Sequence, residues 1–145
     1  MRQTEYRVVG EDPKTLTVRQ LMQNAVMTVR PETSALTVAE ILTKQNFGSI
    51  PVVDLNQTLM GLVSEFDLLE ALGQGKDLRE VKAEDLMTRT VVTVTEDMPF
   101  TDLMMLFQRD MLIRAPVVRG KTLVGIVARR DLLYGYAKAL ANYWL

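Results

Sequence analysis

GLVSEFDLL, Gly61 to Leu69, returns as GIVARRDLL, Gly125 to Leu133. The second copy keeps the glycine, a valine, the aspartate and the leucine pair, while Ser64-Glu65-Phe66 becomes Ala128-Arg129-Arg130. The identity extends upstream. Leu21-Met22 recurs as Leu86-Met87, Val26, Thr28 and Val29 recur as Val91, Thr93 and Val94, and Pro51-Val52-Val53 recurs as Pro116-Val117-Val118, all at an offset of 65. Thr58-Leu59 then matches Thr122-Leu123 at an offset of 64, so one residue is lost between Val118 and Thr122, where a hairpin turn tolerates a deletion. Fifteen positions agree in constant order, and the chain is a tandem repeat.

Each copy reads as strand, helix, strand, strand, helix. VMTV at 26 to 29 is a short β-rich run, Pro31-Glu32-Thr33-Ser34 is polar punctuation, and Val38, Ile41, Leu42 and Gln45 share one helical face. Gly48 ends that helix, SIPVVD follows as a buried strand, Asn56-Gln57 turns the chain into TLMGLVS, and a last helix runs from near Glu65 to Gly73. The second copy repeats the plan with VVTV, a helix over 101–109, APVV, a turn at Gly120-Lys121, and a final helix through YGYAKALANYWL. The expected organisation is an N-terminal segment 1–17, a first repeat 18–72, a charged, glycine-flanked linker 73–82, and a second repeat 83–145 with an extended helix. One βαββα unit cannot cover both faces of its small sheet, which predicts an α+β fold of two packed repeats with pseudo-twofold symmetry.

These motifs resemble a tandem pair of CBS domains, the Bateman module, over about Val18 to Ala137. The resemblance rests on VMTV, SIPVVD and GLVSEFD in one copy and VVTV, RAPVV and GIVARRD in the other. It implies a regulatory module that binds adenosine compounds such as AMP, ADP, ATP or S-adenosylmethionine in clefts between the repeats. It also implies a homodimer and a regulated partner, which is another chain or the same module in the dimer. By that resemblance Asp67 and Asp131 contact ribose and Ser64 contacts phosphate, a contact from which Ala128 departs.

The residues themselves leave a second reading of the aspartates open. Ser64 to Asp67 is also a capping box, in which the serine satisfies an early helix N–H and the acid benefits from the helix dipole. Capping explains the first copy; it explains the second poorly, because Ala128 is a weak N-cap and Asp131 persists without a serine partner. A carboxylate can instead accept two hydrogen bonds from a ribose diol. Arg129 and Arg130 sit where the helix dipole disfavours cations, which suits a phosphate nearby or two solvated side chains. Thr28 and Thr93 are candidates for base or phosphate contact. Ile50 with Pro51 and Ala115 with Pro116 are candidates to flank an adenine ring, with core packing as the simpler role.

Composition narrows the classes. The 145 residues are 48% hydrophobic and 24% charged, enough for a packed core, and 17 basic against 18 acidic residues give a net charge of −1, which disfavours nucleic acid and anionic membrane as partners. Cysteine and histidine are absent, which removes disulfides, thiolate metal sites and the commonest general base, so neither an enzyme nor a required cofactor is expected. The nine methionines are expected as adaptable filler rather than metal ligands, and Tyr134, Tyr136, Tyr143 and Trp144 either line a subunit contact or pack on their own domain. With no leader-like start or membrane-length apolar run, a cytoplasmic location is expected. The alternative from another class is a ligand-free dimerisation scaffold, which Ala128 favours.

Overall fold

The computed structural model describes residues 10–140. After a short 3-10 turn at Pro13–Thr15, the elements in order are α1 (Val18–Leu21), α2 (Ala35–Gln45), β1 (Ser49–Val53), β2 (Leu59–Ser64), α3 (Glu65–Gly73), α4 (Ala83–Leu86), α5 (Phe100–Arg109), β3 (Arg114–Arg119), β4 (Thr122–Ala128) and α6 (Arg129–Ala139). The α+β class and the two repeats stand as read, and Pro51 and Pro116 occupy like places in β1 and β3.

The chain divides into two compact units. One comprises Met27–Val91 with Lys121–Leu123, and the other takes the residues up to Val26 with Val92–Gly120 and those from Val124 on. Neither coincides with a repeat as it runs in sequence, because the segment leading into each repeat packs with the other one.

In the unit of the first repeat, β1 and β2 pair antiparallel, with Ser49 opposite Ser64 and Val52 opposite Gly61. The register shifts after Val52, so that Val53 faces Leu59 and Met60 is the extra residue of a bulge. The turn is an Asx turn in which Asp54 Oδ1 accepts the N–H groups of Asn56 and Thr58 at 2.8 and 2.9 Å, with Gln57 at φ 63°. The backbone N–H of Thr58 is the main cause that holds the Asp54 carboxyl below its ordinary pKa. Lys121–Leu123 joins this unit through a Thr58↔Thr122 bridge, with Leu59 N–H donating to Lys121 O at 2.9 Å.

The strand expected over 26–29 is reduced to one residue. Val29 alone bridges Val52 in parallel, its N–H donating to Pro51 O at 3.0 Å and its carbonyl accepting from Val53 N at 2.9 Å. Val94 repeats this against Pro116 and Val118 at 3.0 and 2.9 Å, so VVTV is no longer a strand either. The physical reason lies in the proline: Pro51 and Pro116 have no N–H to offer, and a parallel ladder on that edge cannot continue past them.

The other edge is closed by the exchanged segments. Thr88, just past α4, exchanges two backbone hydrogen bonds with Leu62 at 2.8 and 3.0 Å; Gln23, just past α1, does the same with Ile126 at 2.8 and 3.0 Å. This contact explains the repeated glycine. A Cβ on Gly61 would lie 2.7 Å from Thr88 O and 2.9 Å from Met87 Sδ, and one on Gly125 would lie 2.8 Å from Met22 Sδ and 3.0 Å from Gln23 O. Glycine is what lets the crossing segment approach the strand.

Helices follow from pattern and capping. Ser34 Oγ accepts the N–H of Thr37 to start α2, whose Val38 and Leu42 are buried against β1, and Asn46 at φ 56° ends it two residues before Gly48. The linker is exposed over 73–77, but Leu78 and Val81 pack on the core and their carbonyls accept the N–H groups of Leu36 and Ala35. In the other unit, Leu16, Val18 and Leu21 complete a core with Leu103, Val117 and Val127. Helix α6 is described to Ala139; the aromatic residues Tyr143 and Trp144 lie outside the described residues.

Candidate functional site

The sequence-predicted residues gather at one end of each sheet, where the second hairpin strand passes into a helix. In the first repeat β1 starts at Ser49 beside Ser64, Thr28 lies one residue before the Val29 bridge at the same end, and α3 begins at Glu65. Ser64 Oγ accepts the Asp67 N–H at 3.1 Å, and Asp67 Oδ2 accepts the Ser64 N–H at 2.8 Å. The Glu65 N–H goes to Gly48 O at 3.0 Å. Asp67 is half-buried, and among the described residues its Oδ1 accepts no hydrogen bond. One carboxylate oxygen is therefore committed to structure and the other remains available.

The second repeat keeps half of that arrangement. Ala128 has no side-chain oxygen, yet Asp131 Oδ2 accepts the Ala128 N–H at 2.8 Å, as Asp67 does for Ser64. This corrects the sequence argument about capping. The acid at the third helical position bonds to the backbone of the N-cap residue, and that bond needs no serine, so capping accounts for the aspartate in both copies. Thr17–Gln20 and Lys82–Asp85 use the same bond at 2.9 and 3.1 Å at the starts of α1 and α4.

The surroundings of the two acids differ. Asp131 is 3% exposed, and its Oδ1 accepts Gln23 Nε2 at 3.2 Å. Arg114, the residue that opens β3, lies close enough for the Asp131 charge to act on it. Partial burial draws the Arg114 guanidinium below its ordinary pKa, and Asp131 opposes that shift by favouring the charged form. Gln23 and Arg114 were not among the residues singled out from sequence. At the matching offset the unit of the first repeat has Thr88 and Ser49, and a search for identities passes over positions that differ.

Other candidates fall as follows. Ile50 and Ala115 are fully buried, and the carbonyls of Pro51 and Pro116 are taken by Val29 and Val94. Thr28 and Thr93 are half-buried. Arg129 and Arg130 are exposed at the start of α6, the Arg129 N–H donating to Ile113 O at 2.9 Å, and both side chains border a groove of about 790 Å³ between α5 and α6 that is otherwise lined mainly by apolar groups such as Met104, Phe107 and Leu133. Tyr136 stacks on Phe100 in that groove with ring centroids 6.0 Å apart, so this aromatic packs on its own unit. Among the described residues no helix is long and apolar enough to cross a membrane.

Comparison with known proteins adds three findings. The family model of the CBS domain matches residues 18–74 and 83–138. An uncharacterised protein of Methanopyrus kandleri is 32% identical over 123 residues, covering 83% of this chain; the chain spans 62% of that relative's length. Among solved structures, CBSX2 in complex with AMP is similar with a TM-score of 0.72 at 29% identity, covering 81% of this chain and 93% of that one. The CBS domain pair of protein MJ0100, in complex with 5'-methylthioadenosine and S-adenosyl-L-methionine, gives a TM-score of 0.71 at 29% identity, covering 82% and 98%.

Proposed function

The chain belongs to the CBS-domain family, and from that premise we propose that it is a regulatory module that binds an adenosine compound, AMP, ADP, ATP or S-adenosylmethionine, and controls a partner protein through the bound state. The observation that carries this reading is the half-buried Asp67 at the β2–α3 junction, with one oxygen held by the Ser64 N–H and the other available to a ribose diol. The AMP and S-adenosylmethionine complexes of two similar CBS proteins support the ligand class. In this reading Thr28 and Ser64 are the phosphate or base candidates at the first junction, Arg129 and Arg130 are the phosphate candidates at the second, and the role is regulatory rather than catalytic. A homodimer is part of the proposal. Phe66, Leu69 and Leu72 form an exposed apolar stripe on α3, which a second copy would cover.

A ligand-free dimerisation scaffold is the second reading, favoured by the internal bonding of Asp131. The two separate in a thermal-shift panel of AMP, ADP, ATP, S-adenosylmethionine, NAD and GTP. A ligand that binds only the folded chain adds about 2.7 kcal/mol at a hundredfold excess over its Kd. An adenosine compound is expected to raise the melting temperature while GTP does not. No shift with any of them at millimolar concentration would leave the scaffold as the function.

A further inference from the structure

The two junctions keep the aspartate and differ at three positions around it; two of the differences place a longer side chain beside the second acid, while the third removes a hydroxyl and leaves the N-cap bond at 2.8 Å in both. Ser64 is replaced by Ala128, Ser49 by Arg114, and Thr88 by Gln23. In the unit of the first repeat Ser49 and Thr88 are short, Thr88 makes no hydrogen bond to Asp67, and the carboxylate stays half-buried with Oδ1 available. In the second, the longer Gln23 reaches Asp131 Oδ1, the Ala128 N–H holds Oδ2, and the carboxylate is left 3% exposed. Gln23 is well anchored for this task, since its backbone is tied to Ile126 by two hydrogen bonds at 2.8 and 3.0 Å.

We infer that Gln23 occupies from within the chain the place a ribose would take at Asp131, so that the protein binds one adenosine ligand per chain, at the Asp67 repeat. The inference rests on the adenosine-sensing reading and assigns its occupancy. A ribose diol must bring two hydroxyl donors to a carboxylate, and at Asp131 it would first have to displace an amide donor and uncover a carboxylate that water barely reaches. Displacement leaves Gln23 Nε2 without its acceptor in a part-buried place, a loss that the new contacts have to offset. At Asp67 the ribose displaces only water. Asp131 then serves α6 and the core of its unit, and the ligand signal enters through the first repeat.

Calorimetric titration of the full chain with AMP and, separately, S-adenosyl-L-methionine reads the occupancy directly. One equivalent per chain is expected with whichever binds; two equivalents overturn the inference and leave the sensing reading intact. No binding of either compound, nor of ATP in the same cell, overturns the sensing reading and the inference with it. The double variant Gln23→Thr, Arg114→Ser gives the Asp131 junction the neighbours of the Asp67 junction and is expected to admit a second equivalent. If it fails to fold, as judged by circular dichroism, Gln23→Thr alone serves, since its Oδ1 acceptor is then uncovered while Arg114 is retained. A folded variant that still binds a single equivalent takes the closure away from these side chains and overturns their assignment.

Discussion

The junctions β2–α3 and β4–α6 share their backbone bonds, 2.8 Å from the N-cap N–H to the aspartate Oδ2 and 3.0 or 2.9 Å from the first helical N–H to Gly48 O or Ile113 O, and differ in the side chains around the acid. At the first, a serine returns the bond and the acid is half-buried; at the second, alanine returns nothing, and a glutamine from the other end of the chain closes over the acid. The comparison separates two roles that a repeated residue conceals. A carboxylate that satisfies a helix N-terminus is needed wherever a strand passes straight into a helix. A carboxylate with an oxygen to give a ligand is present only where its neighbours are short. Repetition of Asp67 as Asp131 is evidence for the first role, and the neighbours decide the second.

Substitution in the core of the second repeat should break that symmetry most strongly. Asp131→Ala removes the acceptor of Gln23 Nε2 and of the Ala128 N–H and takes away a charge that favours the charged form of Arg114, so urea unfolding should show a loss of about 3 kcal/mol, close to the range for broken buried pairs. A loss equal to that of Asp67→Ala would mean the two acids do the same work.

The glycines give a smaller and more graded contrast. Gly61→Ala drives a Cβ to 2.7 Å from a backbone oxygen, whereas Gly125→Ala meets first a methionine sulfur, the far end of a flexible side chain, at 2.8 Å. Both should destabilise by about 1–3 kcal/mol in the same unfolding assay, Gly61→Ala by the larger amount. The reverse order would show that the Thr88 segment yields more easily than the Met22 side chain.

Much of the fold was legible because it is local. The hairpins, α2, α3 and α5 follow from apolar period, turn residues and caps within a dozen positions, and repetition confirmed each against its twin. The exchange of leading segments was not legible, since Gln23 pairs with Ile126 across 103 residues and leaves no period in the sequence. Its one trace was the glycine inside each second hairpin strand, a place where a strand ordinarily avoids glycine unless another backbone approaches. The reduction of VMTV and VVTV to single bridges was equally hidden, because β propensity describes side chains and the limit was set by a missing proline N–H on the neighbouring strand. Pairing Asn46 with Met111 by offset was possible, but nothing local says that both adopt positive φ, at 56° and 53°, since methionine has no preference for that region.

At the site, the residues of the junction were legible and their state was not. The sequence argument tied capping to the serine hydroxyl, and the structure shows that the backbone N–H alone suffices. The partner of Asp131 Oδ1 is Gln23, which lies 108 positions away and differs from its counterpart Thr88, so no motif could carry it.

The central claim is that the Asp67 carboxylate does two jobs, and Asp67→Ala tests both in one protein. Losing the N-cap acceptor should lower stability by about 0.5–2 kcal/mol in urea without ligand. Losing a charge-assisted ribose contact should weaken the best ligand of the thermal-shift panel by about ten- to a hundredfold in calorimetric titration. The account predicts both losses together; a variant that loses stability and binds the ligand as tightly as the parent would show that Asp67 is a helix cap and nothing more.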